Sequence, residues 1–221
     1  MDADYRVRRY VKPVVFLLCL LPVLWLAAGI AALQAGDVTA ASARALGANP
    51  VEKVQDTLGI WGLRFLLLTL AVTPLRVIGG WPRLQLFRRM LGLFAFFYVT
   101  LHFVWYLFVD QAFDWAQLAA DVVKRPYITA GFTAFAILVP LAATSTRRAM
   151  RRLGRRWGRL HRLAYAAAVL GCVHYWWQVK ADVREPLVYA AIAALLLGWR
   201  LWRAWRRKAA PAAASGASPG A

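Results

Sequence analysis

Six apolar runs, each close to the length needed to cross a lipid bilayer, take up most of this 221-residue chain. A membrane-spanning helix needs about 20 predominantly apolar residues. Hydrophobic residues make up 61% of the sequence and charged residues only 17%, which excludes an ordinary soluble domain. The predicted fold class is therefore an all-α membrane protein, a six-helix transmembrane bundle with spans at 11–33, 58–75, 90–109, 127–144, 160–179 and 186–202.

The charges alternate in sign along the chain and indicate which loops face the cytoplasm. The formal net charge is +18, and 21 of the 28 basic residues fall in four segments, 6–12, 76–89, 147–162 and 200–208. Eight of the ten acidic residues fall in the loops between those segments. Because cytoplasmic loops are enriched in Lys and Arg, the predicted topology is N-in/C-in. The basic loops are interpreted as contacts with anionic membrane lipid, and no nucleic acid partner is expected.

Three parts of the chain are distinguished by composition. Residues 1–10 are predicted to be a cytoplasmic N-terminus, and 11–208 a six-helix transmembrane domain that binds haem for the reasons below. The first apolar run is too long for a cleavable signal peptide, and five more runs follow it. Residues 209–221 are rich in Ala, Pro, Ser and Gly and are predicted to be a disordered cytoplasmic tail. No internal repeat is visible in the sequence.

All three histidines fall within the apolar runs, where an ionisable residue is costly and usually functional. Depth decides which of them could share a metal, because two axial ligands of one iron must lie at the same level. His102 lies about 12 Å, and His174 about 9 Å, inside the outer ends of two spans that run in the same direction, at about 1.5 Å per residue. The counting predicts that His102 and His174 are the axial ligands of a b-type haem held between the third and fifth spans.

His161 lies about 20 Å deeper than His174 and cannot bind the same iron. It could ligate a second haem near the cytoplasmic face, which leaves the number of haems at one or two. The residue that faces it on the third span is Arg88, a poor iron ligand but a good partner for a haem propionate. The alternative is that His161 forms a hydrogen bond between helices or lies at the membrane interface.

Two further arginines lie within or at the end of the second span. Arg64 is at about the level of the His102 and His174 pair, where an unpaired guanidinium is costly. It could bind a haem propionate, or its side chain could extend to Asp56 or to the outer surface. Arg76, at the inner end of the span, could serve an inner cofactor or extend into the cytoplasmic interface.

Several sequence stretches, in order, resemble the ferric-reductase-like transmembrane domain. They begin with Gly59-Ile60-Trp61-Gly62-Leu63-Arg64-Phe65 and continue with Arg88-Arg89-Met90-Leu91-Gly92 and Tyr98-Val99-Thr100-Leu101-His102. The last are Gly154-Arg155-Arg156-Trp157-Gly158-Arg159-Leu160-His161 and His174-Tyr175-Trp176. The resemblance covers roughly residues 8–206, and the stretches of the second and third spans resemble the bacterial branch that supplies the haem-binding membrane subunit of methionine sulfoxide reductase systems.

This resemblance implies a function as an electron-transfer subunit of the bacterial inner membrane, with no substrate chemistry of its own. Electrons would come from the quinone pool or a cytoplasmic flavin reductase. They would pass to a periplasmic molybdopterin-containing methionine sulfoxide reductase that repairs oxidised proteins. Family members are described with haem b and with FMN, and their haem histidines match His102, His161 and His174. Arg88 stands where a related branch has a fourth histidine, and no flavin domain follows the last span.

Two other functions are kept as alternatives. A free-standing ferric or quinone reductase would differ only in the final electron acceptor. A proton-coupled membrane transporter, a different class, predicts broken helices and acidic residues inside the spans. The acidic residues of this chain lie outside the predicted spans, which argues against the transporter.

Overall fold

The computed structural model describes residues 3–179 and 182–215, and every regular element in those ranges is helical. Six long helices carry most of the chain and are named here in chain order. They are α1 Lys12–Gln34, α2 Pro50–Ile78, α3 Gln85–Trp105, α4 Pro126–Ala143, α5 Leu163–Gln178 and α6 Arg184–Ser215.

Short helices complete the described chain. Ala3–Arg6 and Val7–Val11 lead directly into α1, and Tyr106–Asp110 continues α3. The others are Ala41–Ala45, Pro82–Leu84, Trp115–Lys124, Arg147–Leu153 and Arg155–Leu160. Helix α6 includes residues 209–215 of the tail that the sequence predicts to be disordered, and 216–221 lie outside the described residues.

Among the residues that the structure describes, five helical segments are long and apolar enough to cross a membrane, which identifies a multi-pass membrane protein. They are Asp4–Gln34, Pro50–Ile78, Pro82–Val109, Pro126–Ala143 and Arg184–Arg207. The fifth predicted span, 160–179, is not among these segments; it corresponds to α5, which has 16 residues. Because His161 and Arg162 form a turn before α5, this helix begins later than the apolar run. The count of six spans and the N-in/C-in topology therefore stay predictions.

Helix α2 begins eight residues before its predicted span, at Pro50 rather than at 58. The side chain of Asn49 accepts a hydrogen bond from the backbone N–H of Glu52, and Pro50 occupies the first turn. Asn at the N-cap followed by Pro is a favourable helix start. Helix α2 therefore extends beyond the apolar run from which the second span was predicted.

Helix α2 lies at the centre of the bundle. More than half of its apolar segment is buried, against 22% or less in the other four spanning helices. Phe65 of α2 packs against Phe94 and Tyr98 of α3, with ring centroids 5.6 and 5.3 Å apart. Gly62 allows α3 to approach, because a Cβ there would lie 2.6 Å from Val99. In lipid, such close packing stabilises helix pairs more than apolar burial does.

Two prolines interrupt helices that are held by polar side chains from their neighbours. Next to Pro22 in α1, the Tyr98 hydroxyl donates to Cys19 O at 2.8 Å and accepts from Val23 N at 3.2 Å. An unbroken helix would pair those two backbone groups with each other. These contacts fix α1 to α3, since an unpaired backbone group inside a membrane is costly.

The second proline, Pro74 in α2, has no N–H and so cannot pair with the carbonyl of Leu70. The guanidinium of Arg200, on α6, donates a hydrogen bond to that Leu70 carbonyl oxygen and another to Leu196 O. Arg200 also lies over the ring of Tyr165 in α5, 5.4 Å from its centroid. One side chain therefore connects α2, α5 and α6.

Candidate functional site

The imidazole rings of His102 and His174 lie next to each other, with centroids 6.1 Å apart. His102 projects from α3 and His174 from α5, and both rings face a cavity between these helices and α2 and α4. An iron with metal–nitrogen bonds of about 2 Å to two imidazoles would place the ring centres about 6 Å apart. The spacing is therefore suitable for two axial ligands of one haem iron.

Backbone carbonyls orient both rings in the same way. His102 Nδ1 lies 2.9 Å from Gln55 O, and His174 Nδ1 lies 2.7 Å from Tyr127 O. A carbonyl oxygen can only accept, so each Nδ1 carries the proton and each Nε2 keeps its lone pair. Metal-binding histidines commonly have this arrangement, in which the second nitrogen donates to a carbonyl.

A glycine on a neighbouring helix makes room for each ring. A Cβ at Gly59 of α2 would lie 3.0 Å from His102 Cε1 and Nδ1. A Cβ at Gly131 of α4 would lie 2.8 Å from His174 Nδ1. Neither packing contact was predicted from the sequence, although a glycine inside a helix costs about 1 kcal/mol relative to alanine and so suggests a packing reason.

The cavity around the two rings has a volume of about 1390 Å³. Ligand pockets are commonly about 300–1000 Å³, so this cavity can enclose a ligand of porphyrin size. Its apolar lining includes Leu63, Leu66, Val99, Phe103, Phe132, Phe135 and Leu138. Its polar lining includes Glu52, Lys53, Asp56, Asp121, Arg125, Gln178 and Glu185. An apolar interior with a charged opening suits an amphipathic cofactor.

Two glutamines of the cavity wall have buried side-chain oxygens that accept no hydrogen bond within the described chain, Gln55 Oε1 and Gln111 Oε1. The side-chain nitrogen of Gln55 lies 3.5 Å from His102 Nε2, the atom that would face an iron. A buried unsatisfied acceptor is unusual in a native structure and points to a missing partner. Both glutamines are therefore positioned for contact with a ligand or an ordered water.

A buried carboxylate holds one side of the cavity opening together. Asp121 is 3% exposed. It accepts hydrogen bonds from the Tyr106 hydroxyl at 2.9 Å and from Gln111 Nε2 at 3.0 Å, and it forms an ion pair with Arg125 at 3.1 Å. These contacts attach the helix Trp115–Lys124 to the end of α3.

His161 is separate from this cavity. Its ring stacks on Trp157 with centroids 3.9 Å apart, and its Nδ1 lies 3.2 Å from Trp157 O. Its Nε2 is buried and has no hydrogen-bond partner in the part of the chain that the structure describes. Arg88 lies close enough to interact electrostatically with the imidazole, as predicted from the helical spacing.

The other two arginines do not line the cavity. Arg64 Nε donates to the Tyr189 hydroxyl at 2.7 Å, and its guanidinium lies 4.9 Å from the Trp61 ring centroid. Arg64 therefore connects α2 to α6 and does not extend to Asp56. Arg76 is exposed near the end of α2. A propionate contact for either residue remains a prediction.

Comparison with known proteins gives consistent results. The ferric reductase like transmembrane component family matches residues 58–172. A protein-methionine-sulfoxide reductase heme-binding subunit MsrQ from Xanthomonas campestris pv. campestris is 57% identical over 71% of this chain and 72% of its own length. The MsrQ of Rhodospirillum rubrum is 54% identical over 85% of both chains.

Proposed function

The chain belongs to the MsrQ heme-binding subunits, within the ferric-reductase-like transmembrane family, and from that premise we propose that it is an electron-transfer protein whose haem b is bound by His102 and His174. The observation that carries this proposal is the matched orientation of the two rings. Each Nδ1 is held by a backbone carbonyl and the ring centroids are 6.1 Å apart. If the two histidines served only to join neighbouring helices by hydrogen bonds, their imidazoles would not both need to keep a lone pair facing one cavity.

A bound haem would supply one-electron oxidation and reduction. The chain provides the geometry for that chemistry. Gln55 O and Tyr127 O keep both imidazoles in one tautomer, while Gly59 and Gly131 let the rings approach the neighbouring helices. The apolar wall excludes water, which raises the cost of charging the site and thereby tunes the reduction potential.

His161 and Arg88 are the residues around which a second haem would bind in this proposal. The buried Nε2 of His161 supports it, since it has no hydrogen-bond partner of good geometry within the described residues, although the backbone of Leu141 also lies near the ring. Arg88 would then pair with a propionate.

The proposed electron path begins at the quinone pool or a cytoplasmic flavin reductase. It ends at a periplasmic molybdopterin-containing methionine sulfoxide reductase subunit, which would carry out the substrate chemistry. FMN is proposed as an additional cofactor from the family resemblance alone. The localisation proposed is the bacterial inner membrane.

The proposed topology has six spans with both termini in the cytoplasm. The 16 residues of α5 cover about 24 Å at 1.5 Å per residue, somewhat less than the hydrocarbon core of about 30 Å. Helix α5 is nevertheless enclosed by its neighbours, since Ala167 and Ala168 are fully buried. Labelling of single cysteines placed in each loop would establish the sidedness.

An absorption spectrum tests the haem proposal directly. The protein purified in detergent should show a reducible b-type band that is lost in His102→Ala and in His174→Ala. The matched control is His161→Ala, which should retain the band of this site and reveals a second haem through the ratio of haem to protein. A colourless wild-type protein, prepared from haem-replete cells, would exclude the proposal.

A further inference from the structure

The surroundings of the two histidines recur along the chain at a constant spacing of 72 residues. His102 corresponds to His174, Gln55 to Tyr127, and Gly59 to Gly131. Each pair makes the same contacts: the carbonyl accepts from Nδ1, and the glycine packs against the ring. The sequence prediction of no internal repeat is therefore corrected: the α2–α3 and α4–α5 hairpins are two copies of one half-site.

The direction of the helices shows how these copies are related. Successive spans of a bundle reverse direction, so α2 and α4 run the same way, as do α3 and α5. Because the corresponding helices are parallel, an approximate two-fold rotation about an axis along the bundle would superimpose the α2–α3 hairpin on the α4–α5 hairpin. His102 and His174 meet across that axis, so other residues that obey the spacing should also face the cavity from opposite sides.

The same spacing relates two basic residues, Lys53 and Arg125, each two residues before the carbonyl that orients its histidine. Both line the cavity, and they are the two Lys or Arg side chains among the described lining residues. Five acidic residues line it as well: Glu52, Asp56, Asp121, Asp182 and Glu185. A ligand with carboxylates would be repelled by these acids unless cations compensated them.

Arg125 already contacts two groups at the opening. Its Nε pairs with Asp121, and its Nη1 donates to the Tyr127 hydroxyl at 3.3 Å. An arginine has five N–H donors, so further donors remain for a carboxylate. Lys53 forms no ion pair with any residue in 3–179 or 182–215, although Asp56 lies near enough to interact with its charge.

We propose that Lys53 and Arg125 are a symmetric pair of anchors for the two propionate carboxylates of the haem between His102 and His174. This inference rests on the proposed haem site and adds the residues that hold the polar edge of the porphyrin. It assigns to these residues the propionate contact that the sequence suggested for Arg64, whose guanidinium is engaged by Tyr189.

The test compares Lys53→Gln and Arg125→Gln with the control Lys124→Gln, which removes an exposed cation outside the cavity lining. Haem loss is measured as transfer to apomyoglobin, and the midpoint potential by spectroscopic redox titration. Each anchor variant should lose haem roughly threefold faster, as expected for an exposed ion pair, and the double variant roughly tenfold faster. Each anchor variant should also have a lower midpoint potential. Removing a nearby positive charge disfavours the reduced haem, which is less positive than the oxidised haem.

Haem dimethyl ester provides a chemical control, since it has the porphyrin ring without free carboxylates. Reconstituted with the ester, wild-type and variant proteins should lose the cofactor at equal rates. The conservative variants Lys53→Arg and Arg125→Lys should restore retention of ordinary haem.

Two outcomes would overturn the inference. In the first, only Arg125→Gln speeds haem loss and Asp121→Asn speeds it equally. Arg125 would then act through its ion pair with Asp121 and not through a propionate. Equal effects of the variants with haem and with its ester would show that propionates are not the contact. A wild-type protein without haem contradicts the proposed function itself, a distinguishable result.

Discussion

Replacing Gly131 with alanine should weaken haem binding, because the added methyl group would press on the ring of His174. The added Cβ would lie 2.8 Å from His174 Nδ1 and 2.9 Å from its Cε1. Ordinary contact begins near 3.4 Å, so the ring would have to move by about 0.6 Å. It would then leave both its axial position and the 2.7 Å hydrogen bond to Tyr127 O.

The expected size follows from two contributions. Forcing an extra methyl group into a packed interior costs about 1–3 kcal/mol, and losing a neutral hydrogen bond costs about 1 kcal/mol. The helix preference of alanine over glycine acts equally with and without haem, so it does not change the affinity. The total of about 3 kcal/mol corresponds to a roughly 150-fold weaker haem affinity.

Haem titration into apoprotein in detergent, followed by absorbance, measures this affinity. Gly59→Ala should have a smaller effect, because its Cβ would lie 3.0 Å from the His102 ring. Gly92→Ala is the matched control, since its Cβ would lie an ordinary 3.6 Å from Thr69. Wild-type affinity and an unchanged low-spin electron paramagnetic resonance spectrum in Gly131→Ala would refute the argument.

Three further substitutions test the polar contacts between helices. Tyr98→Phe removes the hydroxyl bound to Cys19 O and should lower the free energy of unfolding by about 1–2 kcal/mol, measured as a lower Tm in detergent; an unchanged Tm would contradict the bridging function. Arg200→Met leaves the Leu70 carbonyl unsatisfied and should cost about 1–3 kcal/mol in the same assay, with the exposed Arg207→Met as a comparison of charge loss. Asp121→Asn should increase proteolysis between α3 and α4 at neutral pH, because the buried carboxylate of Asp121 loses its ion pair with Arg125; equal cleavage rates would show that other contacts hold the segment.

Sequence reasoning located the helices and the pairing of the histidines because both depend on distances along the helix axis. A rise of about 1.5 Å per residue was enough to place His102 beside His174 and Arg88 near His161. The helix boundaries were predicted less accurately where the same residue types occur both in turns and at helix starts. Asn49 and Pro50 occur in turns and at helix starts alike, and only the hydrogen bond from Glu52 N decides between them.

Features that depend on the rotation and approach of helices were not predicted. The acceptors for the two imidazoles are backbone carbonyls, so the side chains of Gln55 and Tyr127 give no shared signal for them. The duplication is similarly hidden, because lipid-facing and packing positions accept many apolar residues. Gly59 and Gly131, which have a specific task, are among the few residues that stay identical at the spacing of 72 residues.

The two-fold relation fails at the arginine-rich end of the bundle. The spacing of 72 residues takes His161 to Arg89, which lines a lipid-facing groove with Lys12. Arg88, one residue earlier, is the one that interacts with His161. A haem at His161 would therefore lack the second imidazole that duplication provides between His102 and His174. If a second haem binds at His161, it would have a single imidazole from the chain where the first has two, and this difference would give the two sites distinct potentials.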